Sequence, residues 1–144
     1  MPHSQSNVLH TGLIGSGIQL SSSPALHIDE ARALGLQVDY ELVDFDQIAG
    51  GATALARVLD DVQARGYVGV NVTFPAKQAV IPLLDELSHE ARALNAVNTI
   101  VFRDGKRYGH NTDWWGFAES FRRGLPGAHL QRVALVGAGG AGAA

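Results

Sequence analysis

Val68-Gly69-Val70-Asn71-Val72-Thr73-Phe74-Pro75-Ala76-Lys77 decides how this chain is read. Its apolar residues alternate as far as Val72, the pattern of a strand. Pro75 then suits the first position of a helix, because it lacks the N–H that such a position leaves unused. A strand that runs straight into a helix is the building unit of α/β layers. Lys77 falls in the first turn of that helix, the end that carries partial positive charge. An ammonium is disfavoured there, so this amine is either a proton-transfer group or a plain solvated lysine.

Working outward, residues 9–15 read as a first strand. Ser23-Pro24 opens a helix to about residue 34, with Ser23 as N-cap and Gly35 as C-cap. Residues 38–45 alternate as a second strand. Leu55, Val58, Leu59 and Val62 form one apolar face of a helix over 52–64. Residues 67–72 are the third strand, 75–84 a helix and 88–94 another. Strands over 96–102 and 108–110 flank Asp104-Gly105, a hairpin signal. Asp113 begins a helix with Phe117 and Phe121 on one side, and Pro126-Gly127 breaks the chain. A last strand over 132–136 leads into Gly137-Ala138-Gly139-Gly140-Ala141-Gly142. Alternating elements predict a three-layer α/β sandwich with a mixed, mostly parallel sheet, and the hairpin supplies one antiparallel edge.

Composition narrows the function. The 144 residues are 46% hydrophobic and 17% charged, an ordinary globular balance large enough for a core. Net charge is −3 with no basic run, which argues against nucleic acid as a partner. No apolar run reaches membrane-spanning length, and the N-terminus has no apolar secretory core. Cysteine is absent, and the 6 histidines show no ligand-like pairing, so no metal site is expected. A cytoplasmic location is expected.

Four segments end at strand-to-helix junctions, where α/β proteins place ligand groups. In Ser21-Ser22-Ser23-Pro24 the hydroxyls either cap a helix or form a pocket for a carboxylate or phosphate. In the second segment Thr73 precedes Lys77. In Asn95-Ala96-Val97-Asn98-Thr99 the Asn98 amide must find partners, either backbone or a substrate hydroxyl. In His110-Asn111-Thr112-Asp113 the carboxylate either caps a helix or faces Lys77 across a cleft. Gly137, Gly139 and Gly142 match the G-x-G-x-x-G pattern after a strand, half of the context of a dinucleotide site.

Taken in order, S-x-S-P, N-V-T-x-P-x-K, N-A-V-N-T, G-x-N-T-D and G-A-G-G-A-G closely resemble the shikimate dehydrogenase family, from about residue 13 to the end. The resemblance implies a substrate-binding domain over 1–112. It also implies a linking helix with the first strand of a truncated Rossmann domain over 113–144. It implies that Ser21 and Ser23 hold a substrate carboxylate, that Thr73, Asn98 and Asp113 bind ring hydroxyls or order the lysine, and that Lys77, also in contact with substrate, forms the catalytic pair with Asp113. It implies NADP or NAD bound in part by Gly137, Ala138, Gly139, Gly140, Ala141 and Gly142. The implied reaction interconverts 3-dehydroshikimate and shikimate, or 3-dehydroquinate and quinate, and a homodimer is one assembly it admits.

The chain departs from the common pattern at Gln19-Leu20, at Ser22, where a basic residue is usual, and at Trp114-Trp115 after N-T-D. The run Gly15-Ser16-Gly17-Ile18-Gln19, followed by F-P-A-K-Q at 74–78 and N-T-D-W-W-G-F at 111–117, resembles the quinate/shikimate branch. A second reading is a binding module for a polyhydroxy acid without redox chemistry, since no complete cofactor site is encoded. A related amino-acid or folate dehydrogenase is a third, against which the paired serines and Asn98 with Asp113 argue. Trp115, Phe117, Phe121 and the strand over 132–136 are expected to leave apolar surface exposed, which favours self-association and makes the isolated chain marginal and inactive.

Overall fold

The structure, a computed structural model, describes residues 8–137 and 139–142. β1 (Val8–Gly15), second in a six-stranded sheet, is buried from Gly12 onward. β1 is flanked in parallel by β2 (Gln37–Asp44) and β3 (Gly69–Val72). β5 (Thr99–Arg103) runs antiparallel to β3, and β6 (Lys106–His110) antiparallel to β5. β4 (Glu86–Leu87) pairs in parallel with β6, which gives the strand order β2-β1-β3-β5-β6-β4. The hairpin forms where Asp104 (φ 54°) and Gly105 (φ 75°) both take the left-handed conformation of a tight two-residue turn.

The register aligns one row across the sheet. Leu42 lies beside Leu13, Leu13 beside Asn71, Asn71 beside Thr99, and Thr99 beside His110. Paired residues share a face, so polar Asn71 and Thr99 lie on the same face as Leu13 and Leu42. α1 (Ser23–Ala33) covers that face. Its Ile28 packs on a small cluster of Leu13, Ile18 and Tyr40.

The opposite face carries the main core. α2 (Leu55–Ala64) buries Leu55, Val58, Leu59 and Val62 against Ile14, Val70, Val72 and Ile100. Full burial of one such side chain contributes roughly 1.5–3 kcal/mol. α3 (Ala76–Ala79) and α4 (His89–Leu94) add Ala76 and Ala91 to the same cluster. Helices thus cover both faces of a mixed sheet.

Several expectations are corrected by this arrangement. The hairpin is not the edge: β5 is inserted against β3, and the unexpected two-residue β4 takes the outer position. The helix over 75–84 is only α3, followed by a 3₁₀ turn at Ile81–Leu83. Pro82 stops it, because it has no N–H to bond back to the preceding turn. Ser23 is the first residue of α1 rather than its cap; Ser22 holds the cap position and makes no side-chain cap bond. The helix over 52–64 starts as a 3₁₀ turn at Gly51–Ala54. Residues 133–137 form no ladder with any described residue, since a strand needs a neighbour to receive its bonds. Val136 there is 99% exposed. Ala138 lies outside the described residues.

Candidate active site

Two loops meet at the end of β1. Ser16 N–H donates to the Phe74 carbonyl at 2.8 Å, and Thr73 N–H donates to the Ile14 carbonyl at 2.9 Å. Gly15 permits this approach: a Cβ there would stand 2.4 Å from Thr73 Cγ2 and 2.9 Å from the Phe74 carbonyl oxygen. The Phe74–Pro75 peptide is cis, and α3 begins at the next residue. A four-residue helix has little dipole, so its end is not what defines the surroundings of Lys77. What defines them is α5 (Asp113–Gly124), whose first residue carries the opposing charge.

Lys77 Nζ lies 2.5 Å from Asp113 Oδ2, with the lysine side chain 15% and the aspartate 36% exposed. Asn98 Nδ2 donates to the other oxygen, Asp113 Oδ1, at 2.9 Å. The Asp113 backbone is held in turn: its N–H donates to Asn111 Oδ1 at 2.9 Å, and the buried Asn111 donates to the Ala96 carbonyl at 3.0 Å. Asp113 therefore faces Lys77 rather than capping a helix. Among the described residues no buried side-chain nitrogen or oxygen lacks a hydrogen-bond partner.

Thr73 and Lys77 share a cavity of about 450 Å³ with Phe74 and the glycine segment. Gly137, Gly139, Gly140, Ala141 and Gly142 line it. A Cβ on Gly140 would come within 2.9 Å of Lys77 Cβ, so this position forms a close backbone cradle beside the lysine. That closeness fits a segment that approaches a ligand through its backbone.

Ser21, in the segment after β1, and Ser23, the first residue of α1, bond to each other. Ser21 Oγ donates to Ser23 Oγ at 3.1 Å and accepts from Ser23 N–H at 3.2 Å. Their loop is pinned by Asp44, which is 3% exposed at the end of β2. Gln19 Nε2 donates to it at 3.0 Å, and the Gly17, Ile18 and Asp46 N–H groups do so at 3.1, 3.3 and 3.1 Å. The Gln19 side chain and these backbone donors hold the Asp44 carboxyl below the usual range. Neither serine contacts Lys77 directly. His27, which bonds to the Ser23 carbonyl at 2.8 Å, packs its ring against Tyr40, and from Tyr40 hydrogen bonds run through Asn71, Thr99 and Asn98 to Asp113.

Tyr40, Asp44, Asn71 and Thr99 join the site only through the fold. Asn71 had a signal, an amide within the apolar run Val68 to Val72. Tyr40 had none, because a tyrosine in an alternating strand reads as core. Burial pushes its phenol up to about 12, with the Ser23 hydroxyl pulling slightly back. Among the described residues no group of three or more His, Asp or Glu could hold a metal, and no helix is long and apolar enough to cross a membrane.

Residues 13–100 match the family model described as the shikimate dehydrogenase substrate binding domain. The chain belongs to the shikimate dehydrogenase family. It is 54% identical over 133 residues to a Streptomyces avermitilis protein named shikimate dehydrogenase (NADP(+)), covering 92% of this chain and 46% of that one. It is 46% identical over 132 residues to a Corynebacterium efficiens protein named quinate/shikimate dehydrogenase (NAD(+)), covering 91% of this chain and 46% of that one. Family members also share the fold. The structure of quinate dehydrogenase from Corynebacterium glutamicum in complex with NAD aligns at a TM-score of 0.81 and 41% identity, over 92% of this chain and 48% of that one. Shikimate 5-dehydrogenase from Thermus thermophilus in complex with shikimate aligns at a TM-score of 0.80 and 39% identity, over 94% of this chain and 50% of that one. The chain spans about half the length of the relatives it matches.

Proposed function

We propose that the chain is the substrate-binding part of an NAD(P)-dependent dehydrogenase that interconverts 3-dehydroshikimate and shikimate, and accepts quinate as an alternative substrate. Residues 1–112 form the substrate domain, and 113–144 form the linking helix and the start of the cofactor domain. The observation that carries this reading is the Lys77–Asp113 pair, at 2.5 Å and braced by Asn98, with Lys77 lining the cavity that Thr73 shares. The names of the relatives support the substrate class and both cofactors.

Each side chain then has a task. Ser21 and Ser23 offer hydroxyls to the substrate carboxylate. Thr73, Asn98 and Asp113 bind and orient the ring hydroxyls. In ketone reduction Lys77 gives a proton to the carbonyl oxygen as hydride reaches the carbon; in alcohol oxidation the amine takes that proton back. Asp113 keeps Lys77 on the reacting oxygen through Oδ2, while Asn98 holds Oδ1. A bound nicotinamide cofactor would supply or accept the hydride, and Gly137, Ala138, Gly139, Gly140, Ala141 and Gly142 would hold its pyrophosphate through their backbone.

The test is coenzyme turnover by the natural protein with shikimate and with quinate, in the presence of NAD⁺ or NADP⁺, together with calorimetric titration of both acids. Binding and turnover of either acid support the reading. Binding without turnover assigns a binding module instead, and no heat with either acid removes the substrate class.

A further inference from the structure

The polar side chains between the two ends of the site form one chain of hydrogen bonds, and its direction is fixed. Tyr40 O–H donates to Asn71 Oδ1 at 2.8 Å. Asn71 Nδ2 donates to Thr99 Oγ1 at 3.2 Å, and Thr99 Oγ1 donates to Asn98 Oδ1 at 2.9 Å. Asn98 Nδ2 donates to Asp113 Oδ1 at 2.9 Å, and Asp113 Oδ2 accepts from Lys77. Every donor points toward the carboxylate.

The direction follows from what each group is able to do. Thr112 N–H donates to Asn98 Oδ1 at 3.2 Å, which fixes that amide with its oxygen toward Thr99. Thr99 has one hydroxyl hydrogen, and it goes to this oxygen. Thr99 is therefore only an acceptor toward Asn71, so Asn71 must present its nitrogen there and its oxygen to Tyr40. A phenol is the group at that spot that satisfies the oxygen. Without it the Asn71 amide is free to turn over, and Thr99 must then choose between donating to Asn71 and donating to Asn98.

We infer that Tyr40 is a positioning residue for the reaction: it locks the Asn71 amide and, through Thr99, holds Asn98 on the Asp113 carboxylate more than one strand away. It reaches the site from β2, beyond β1, yet is one link from Asn71. His27 on α1 bonds to the Ser23 carbonyl at 2.8 Å and lays its ring 4.7 Å from that of Tyr40, so the serine segment and the hydrogen-bonded chain meet at this residue. A satisfied polar chain of this kind polarises along its length and specifies one arrangement. The kinetic consequence rests on the proposed dehydrogenase activity; the structural consequence does not.

Two measurements separate these. In the ¹⁵N-labelled natural protein, the side-chain amide resonances of Asn71 and Asn98 are followed in wild type, Tyr40→Phe and Thr99→Val. Tyr40→Phe is expected to move both pairs; if the Asn98 pair stays in place, the inference is overturned whatever the substrate proves to be. Where shikimate is turned over, Tyr40→Phe is expected to lower kcat/KM by about 3- to 10-fold, the worth of one hydrogen bond. The double variant Tyr40→Phe/Thr99→Val is expected to be no worse than Thr99→Val alone, because both cut the same chain. Fully additive losses, or a loss that follows only the drop in Tm, would show an ordinary packing tyrosine. If wild type turns over neither acid, the functional proposal falls and the amide resonances alone decide.

Discussion

Lys77 Nζ and Asp113 Oδ2 are 2.5 Å apart although 36 residues separate them in the chain. One comes from α3 and the other from the start of α5, so the pair exists only in the folded domain. Replacing Lys77 by Ala is expected to lower kcat by about 10²- to 10⁴-fold, the usual worth of a positioned acid or base. Shikimate binding by calorimetry should change far less. Equal turnover by wild type and variant would make Lys77 an ordinary lysine.

Ser21 and Ser23 bond to each other, so each keeps the other oriented. Loss of one hydroxyl that serves a carboxylate costs about 1.5–3 kcal/mol. Ser21→Ala or Ser23→Ala should therefore raise KM for shikimate by about 10- to 100-fold, with a smaller change in kcat. The methyl ester of shikimate, which lacks the negative charge, should be nearly indifferent to either change. A KM that is the same in all three proteins would move the carboxylate elsewhere.

Asp44 gives a pH-dependent stability. Its donors, the Gln19 amide first, lower its folded pKa beneath the ordinary 3.8. A lowered carboxylate contributes fully above the ordinary value and loses its contribution as pH falls through the folded one. The stability gap between wild type and Asp44→Asn, read from urea midpoints, should be widest near neutrality and close below pH 3.8. A gap that is constant down to about pH 2.5 would remove the carboxylate from this role.

Gly15 is where space runs out. A methyl group there meets Thr73 Cγ2 at 2.4 Å and the Phe74 carbonyl oxygen at 2.9 Å, so the loop carrying Thr73 must move. Gly15→Ala should weaken shikimate binding and lower Tm together. Unchanged binding with a lowered Tm would detach Thr73 from the substrate.

The sequence was most legible where the signal is local. Leu55, Val58, Leu59 and Val62 announced α2, and Asp104-Gly105 announced the hairpin, because spacing and turn chemistry are properties of adjacent residues. The segments holding Thr73, Lys77, Asn98 and Asp113 were visible as polar residues at the ends of apolar runs, and the structure joins Lys77, Asn98 and Asp113 by direct bonds. Placement was not legible. Nothing near residues 99–110 says that the hairpin inserts beside β3, since strand neighbours are chosen across the whole sheet. β4 is two residues long, too short to show alternation. Tyr40 escaped because its partner, Asn71, is 31 residues away and on another strand. Pro82 is a local signal too: it accounts for a helix that ends at Ala79 where the apolar spacing alone extends it to residue 84.

The reversed course of β5 separates two jobs along a single strand. Its first residue, Thr99, sits beside Asn71 among the reacting groups, while its last, Arg103, leads into the tight turn at Asp104-Gly105. Four extended steps put roughly 13 Å between them. A peptide tag or label grafted at that turn would therefore travel with the molecule without disturbing the pocket, and a strand laid down in the other sense would have offered no such remote handle.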